Sequence, residues 1–131
     1  MINFTMSELI NSKIANKNSI VNVPDIKSLD NLLNLIVYCL QPIRNLFDKP
    51  MIITSGYRCD KLNKLVGGTS NSQHVLGCAA DFKINNFSPE YIVKTVKNSN
   101  VEYDQLINEY NSWTHVSFVK GKNRKQILYI K

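Results

Sequence analysis

In Ser72-Gln73-His74-Val75-Leu76-Gly77-Cys78-Ala79-Ala80-Asp81 a histidine and an aspartate stand seven residues apart across a glycine. The stretch holds one of only 2 histidines in 131 residues. On one continuous helix, His74 and Asp81 would stand two turns, about 10.5 Å, apart along the axis, too far for a shared ion. A bend removes that obstacle, and Gly77 supplies one. The stretch therefore predicts a loop ending at His74, a turn at Gly77 and a strand from Cys78 to Ile84. On that strand Ala79, Asp81 and Lys83 share one face, while Ala80, Phe82 and Ile84 share the other.

The second histidine lies in Trp113-Thr114-His115-Val116-Ser117-Phe118. If this segment is a strand, His115 shares a face with Ser117, and Val116 and Phe118 point into the core. Two imidazoles and one carboxylate form the donor set of a catalytic zinc site with an open position. Such a centre lowers the pKa of bound water to about 7. Spacing alone also fits two ordinary histidines, so at this point both readings stand.

Working outward, Thr5-Met6-Ser7-Glu8 is a capping box, with Thr5 as N-cap of a helix reaching about Ala15. Asn16 to Asp25 is polar and reads as loop. Ser28 is an N-cap candidate for an amphipathic helix. Leu29, Leu32, Leu33, Ile36, Val37, Leu40, Ile43 and Phe47 recur in three- and four-residue steps along it. Pro42 should kink that helix or start a new turn, and Lys49-Pro50 ends it. Met51 to Thr54 reads as a strand, Ser55-Gly56 as a turn, Tyr57 to Leu65 as a helix and Gly67 to Ser72 as a loop. Ser88-Pro89 opens a helix that stops near Asn98. Three strands follow, at about Asp104–Tyr110, Trp113–Val119 and Lys125–Ile130. Turns at Asn111-Ser112 and Gly121-Lys122-Asn123 make them an antiparallel meander. The expectation is a single α+β domain over residues 1–131, an antiparallel sheet packed against helices.

The formal net charge of +6 and pI near 9.3 suit an anionic partner. The lysines are scattered, with no basic run interleaved with aromatics, so neither nucleic acid nor membrane is the expected partner. A nucleic-acid-binding domain rests on charge alone. The 3 cysteines, Cys39, Cys59 and Cys78, are odd in number and contain no CxxC, which excludes a disulfide framework. Cys39 falls on the apolar helical face; Cys59 and Cys78 flank the motif and remain alternative ligands or nucleophiles. The first residues lack the basic and apolar regions of a signal peptide. The expectation is a protein made in the cytoplasm, which something else must release if it acts outside.

Ser55-Gly56-Tyr57-Arg58, Asn63, Val66-Gly67-Gly68, the Ser72-x-His74-x-x-Gly77-x-Ala79-x-Asp81 block and Trp113-x-His115-Val116-Ser117-Phe118 together resemble the zinc D-Ala-D-Ala carboxypeptidase family. The resemblance runs from about Phe4 to Phe118 and includes the helix ending in Pro42-Ile43-Arg44. It implies the small α+β fold shared with the hedgehog signalling domain. It also implies one zinc ion on His74, Asp81 and His115, and cleavage of peptidoglycan stem peptides by a carboxypeptidase or an endolysin-like L,D-endopeptidase. Many small members come from bacteriophages, so the resemblance implies a monomer that acts on the cell wall after release or as a virion component.

Such a peptidase needs a general base. Many relatives carry a carboxylate three residues before the last histidine, where this chain has Ser112. Glu109, at the end of an Asp-Gln-Leu-Ile strand as in small phage-type members, is the expected base, and Asp104 is the alternative. Arg58 is the expected clamp for an oxyanion or a substrate carboxylate. Ser72 and Gln73 are candidate hydrogen-bonding partners of the peptide, and Ser72 equally fits a role within its own loop. The departure at Ser112 leaves open a non-catalytic zinc-containing module that binds wall peptides or a protein.

Overall fold

The computed structural model describes all residues from Met1 to Lys131. Two short helices come first, α1 (Met6–Ile10) and α2 (Lys13–Lys17). The Thr5–Glu8 capping box forms as its residues dictate. The single helix expected to reach Ala15 is instead broken at Asn11-Ser12, because the Ser12 side chain caps α2 by accepting from the Ala15 N–H.

Helix α3 (Ile26–Leu35) runs through a π-helical segment (Ile36–Leu40) into α4 (Gln41–Phe47). Its N-cap is Asp25, whose carboxylate accepts from the Ser28 N–H; Ser28 sits inside the first turn, not at the cap expected for it. The π turn lies just before Pro42, with the Gln41 N–H reaching back to the Ile36 carbonyl. The rod thus accommodates a proline that has no N–H to give. Leu32, Leu35, Ile36, Cys39, Leu40, Ile43 and Phe47 are buried. Leu29, Leu33 and Val37 are exposed, so the apolar stripe read from the sequence is wider than the face that packs.

Strand β1 (Met51–Ser55), helix α5 (Asp60–Leu65), strand β2 (Ala79–Ile84) and helix α6 (Pro89–Lys97) follow. Helix α5 starts at Asp60, later than expected, and leaves Tyr57, Arg58 and Cys59 as a connecting segment. Ser88 caps α6 and Pro89 is its first residue. Strands β3 (Gln105–Glu109), β4 (Trp113–Ser117) and β5 (Gln126–Ile130) complete a five-stranded sheet of order β1-β2-β4-β3-β5.

Strands β1 to β4 pair antiparallel, but β5 crosses over and pairs parallel to β3, so the last three strands are not a meander. The β3–β4 hairpin does form, with Tyr110 and Asn111 both at positive φ. The Gly121–Asn123 segment cannot be its mirror, because Asp104 draws the following residues back to the start of β3. Asp104 accepts from the Arg124 backbone N–H at 2.9 Å and pairs with the Arg124 guanidinium at 3.0 and 2.8 Å. The class is α+β, as expected. The core-facing side of the sheet contributes Ala80, Phe82, Ile84, Leu106 and Val116 to one cluster with the buried faces of α3, the π segment, α4 and α6. No helix is long and apolar enough to cross a membrane.

Two predictions test this account. Gly77 has a φ of +77° and a Cβ there would lie 2.4 Å from the Ser28 carbonyl oxygen, whereas Gly67, at the same φ, faces open space. Gly67→Ala should therefore cost about 1 kcal/mol of backbone strain. Gly77→Ala should cost about 3 kcal/mol, with the clash added, in denaturant unfolding. The Arg124 pair, opposed by burial and reinforced by Gln73, holds the Asp104 carboxyl at about 2. Its contribution is present above the ordinary carboxyl pKa and is lost as pH falls. Asp104→Asn should lower stability at neutral pH by about 2 kcal/mol, and the gap from wild type should close between about pH 4 and 2.

Candidate metal centre

The site is built on the solvent side of the sheet, where one row of side chains crosses the strands. Ser55 on β1 is opposite Asp81 on β2, Asp81 is opposite His115 on β4, and His115 is opposite Ile107 on β3. Opposite residues in a ladder point the same way, so Asp81 and His115 are placed side by side by register alone. A bulge between Ile53 and Ser55 turns the end of β1 and carries Gly56, Tyr57 and Arg58 over this face.

His74 arrives from a loop. Consecutive turns hold it: the Ser72 hydroxyl accepts from the His74 N–H, and the Gln73 carbonyl accepts from the N–H groups of Leu76 and Cys78. The Leu76 carbonyl accepts from the Asn31 side chain, and Gly77 presses on Ser28, which fixes the loop to α3. The His74 carbonyl accepts from the Arg58 N–H at 3.1 Å, tying loop and bulge together.

His74, Asp81 and His115 are all buried, and each offers one ligand atom within 4.8 Å of the others. Nδ1 of His74 lies 2.8 Å from the Gly56 carbonyl oxygen. A carbonyl only accepts, so Nδ1 carries the proton and Nε2 presents a lone pair. That lone pair lies 3.4 Å from Oδ1 of Asp81. Nδ1 of His115 lies 2.8 Å from the same oxygen. Three electron-pair donors thus converge in a buried space, an arrangement stable only with protons or a cation between them. Around a tetrahedral ion with ~2.0–2.1 Å bonds, ligand atoms stand about 3.4 Å apart. The donors fit a divalent metal ion, which would replace the proton now shared by His115 and Asp81. Gly56 then acts as the partner that orients a metal-bound imidazole. Burial pushes the Asp81 carboxyl up, but the hydrogen bond from His115 and the nearby His74 imidazole outweigh it and hold the group far below the usual carboxylate range.

Glu109 sits on the edge of the same space, its Oε1 3.8 Å from Nδ1 of His115. Burial first, and then the Asp81 charge, raise its pKa. Arg58 faces the site from the opposite side. Its Nη2 is 3.9 Å from Oδ2 of Asp81, while Nε and Nη1 donate to Ser55 and Asn63 at 3.3 Å each. The side chains of Glu109 and Arg58 are 19% and 18% exposed, enough to meet a ligand.

Other expected residues lie further off. Gln73 donates from Nε2 to Asp104 at 2.8 Å, and its Oε1 is buried without a partner. Asp104 engages Arg124 and Gln73 and makes no contact with the three clustered donors. Cys59 and Cys78 are free thiols outside the cluster. One positioning residue carries no signal in the sequence. Asn22, in the segment read only as polar loop, donates to the carbonyls of Ile10 and Tyr57 and accepts from the Cys59 N–H, so it brackets Arg58.

Among curated proteins none matches the chain. The sequence pattern of one known family, peptidase M15, matches residues 2–117. That span contains every residue of the site, from Arg58 through the clustered donors to His115. The chain belongs to the peptidase M15 family.

Proposed function

We propose that the protein is a zinc-dependent peptidase that hydrolyses peptide bonds in peptidoglycan stem peptides, as a carboxypeptidase or an endopeptidase. The observation that carries this reading is the convergence of His74, Asp81 and His115 with a raised-pKa carboxylate, Glu109, at their open edge. The surplus of positive charge also suits an anionic cell wall.

When zinc is bound it polarises a carbonyl and makes water more acidic. The protein's own groups supply the rest. Glu109 accepts a proton from the attacking water as the oxygen adds to the scissile carbonyl carbon. It passes that proton to the amide nitrogen as the C–N bond breaks. Its raised pKa brings it closer to working pH than an ordinary carboxylate. Arg58 offers two guanidinium edges already oriented by Ser55 and Asn63, and its charge stabilises a developing oxyanion or a substrate carboxylate.

Two outcomes are expected. The purified protein should bind about one zinc ion per chain, and His74→Ala should lose both metal and peptide release from purified peptidoglycan. Zinc retention by the wild type without any release would point instead to a non-catalytic wall-binding module. Glu109→Gln should keep zinc while slowing hydrolysis about 10²- to 10⁴-fold. Full activity in that variant would remove Glu109 from the reaction.

A further inference from the structure

The metal row has a closed side and an open side. On one side the next row across the sheet is Ala79 opposite Ser117, both fully buried beside the loop that delivers His74. On the other side the next row is Ile52, Lys83, Trp113, Glu109 and Ile130. Ile52 is opposite Lys83, Glu109 is opposite both Trp113 and Ile130, and Lys83 and Trp113 are the next residues along their strands beyond the Phe82–Thr114 pair. This row is open to solvent: Ile52 and Ile130 are 48% and 38% exposed, and Lys83 is exposed. It borders the metal row on the side that carries Glu109.

Lys83 stands out within this row. It lies two residues along β2 from Asp81 and on the same face, about 7 Å away at ~3.3 Å per residue. It carries a full positive charge but makes no ion pair in the protein. Its neighbour Trp113 packs against Tyr110, at 5.6 Å between ring centroids, and the Trp113 indole N–H is buried without a protein partner. Tyr110 is held at φ 57°, an unusual conformation for a bulky residue, at the turn that follows Glu109. A cation and an aromatic pair carried on one row of the sheet, next to the metal row, suit an anion on an extended chain.

We propose that Lys83 and Trp113 form a substrate subsite that takes a carboxylate of the bound peptide, about two residues from the bond that is cut. This rests on the peptidase reading above and adds a substrate preference to it. Arg58, on the opposite side of the metal row, is left to the reacting carbonyl or to a second carboxylate.

The test uses two wall peptides that differ only in carrying a free or an amidated carboxylate two residues from the scissile bond. Trp113 is the chain's 1 tryptophan, so its fluorescence reports occupancy of the row. Zinc-loaded Glu109→Gln protein should bind the free-acid peptide about 10-fold more tightly than the amidated one. Lys83→Ala should erase that difference by weakening only the acidic peptide, and Lys83→Glu should reverse it. In otherwise wild-type protein, the same Lys83 substitutions should raise KM for the acidic peptide with little change in kcat. Equal affinity for the two peptides, or equal losses on both in the Lys83 variants, would overturn the subsite while leaving the peptidase intact. Failure of the wild type to cut either peptide would overturn the peptidase reading and the subsite with it.

Discussion

Three lone-pair donors brought together in a buried space constrain the rest of this structure. His74, Asp81 and His115 each present an acceptor atom to the others, and burial raises the cost of leaving such atoms facing one another. Without a cation, a proton between His115 and Asp81 relieves part of that cost. The fold resists the remainder by fixing each group from behind. The Gly56 carbonyl holds His74, and the strand ladder holds Asp81 against His115. A site held this rigidly would spend little binding energy on rearrangement in taking a metal ion.

Much of this was legible in the sequence because it rests on short-range rules. The two-residue period of β2 separates Asp81 from Ala80 and Phe82, and the structure keeps that division. A proline after a serine announces α6, and the Thr5–Glu8 box announces α1. The seven-residue spacing calls for a bend at Gly77 if His74 and Asp81 are to meet, and the structure adds why no side chain fits there: the Ser28 carbonyl occupies the space.

What was not legible depends on partners distant in sequence. The expected meander failed at β5 because Asp104 and Arg124, 20 positions apart, form a pair that recruits the last strand to the opposite side of β3. Nothing local in Gly121-Lys122-Asn123 distinguishes a hairpin from a crossover. The π turn before Pro42 likewise reflects how a long helix meets its proline while staying packed, which periodicity alone does not encode. At the site, Arg58 and Glu109 could be named, but the bulge that aims the one and the row that exposes the other appear only with the register. Asn22 is the plainest case, since an asparagine in a polar loop looks like any other until its three hydrogen bonds to backbone are seen.

In the proposed enzyme the clustered imidazoles and carboxylate are the ligands of one ion. X-ray absorption at the zinc edge, on protein carrying one equivalent of zinc, tests it most directly. The expected result is four-coordinate zinc with two imidazole nitrogens and oxygen ligands at about 2.0–2.2 Å, and no sulfur. A shell containing sulfur at about 2.3 Å would move the ion to Cys59 or Cys78. A shell of water oxygens alone would mean that the three donors hold no zinc.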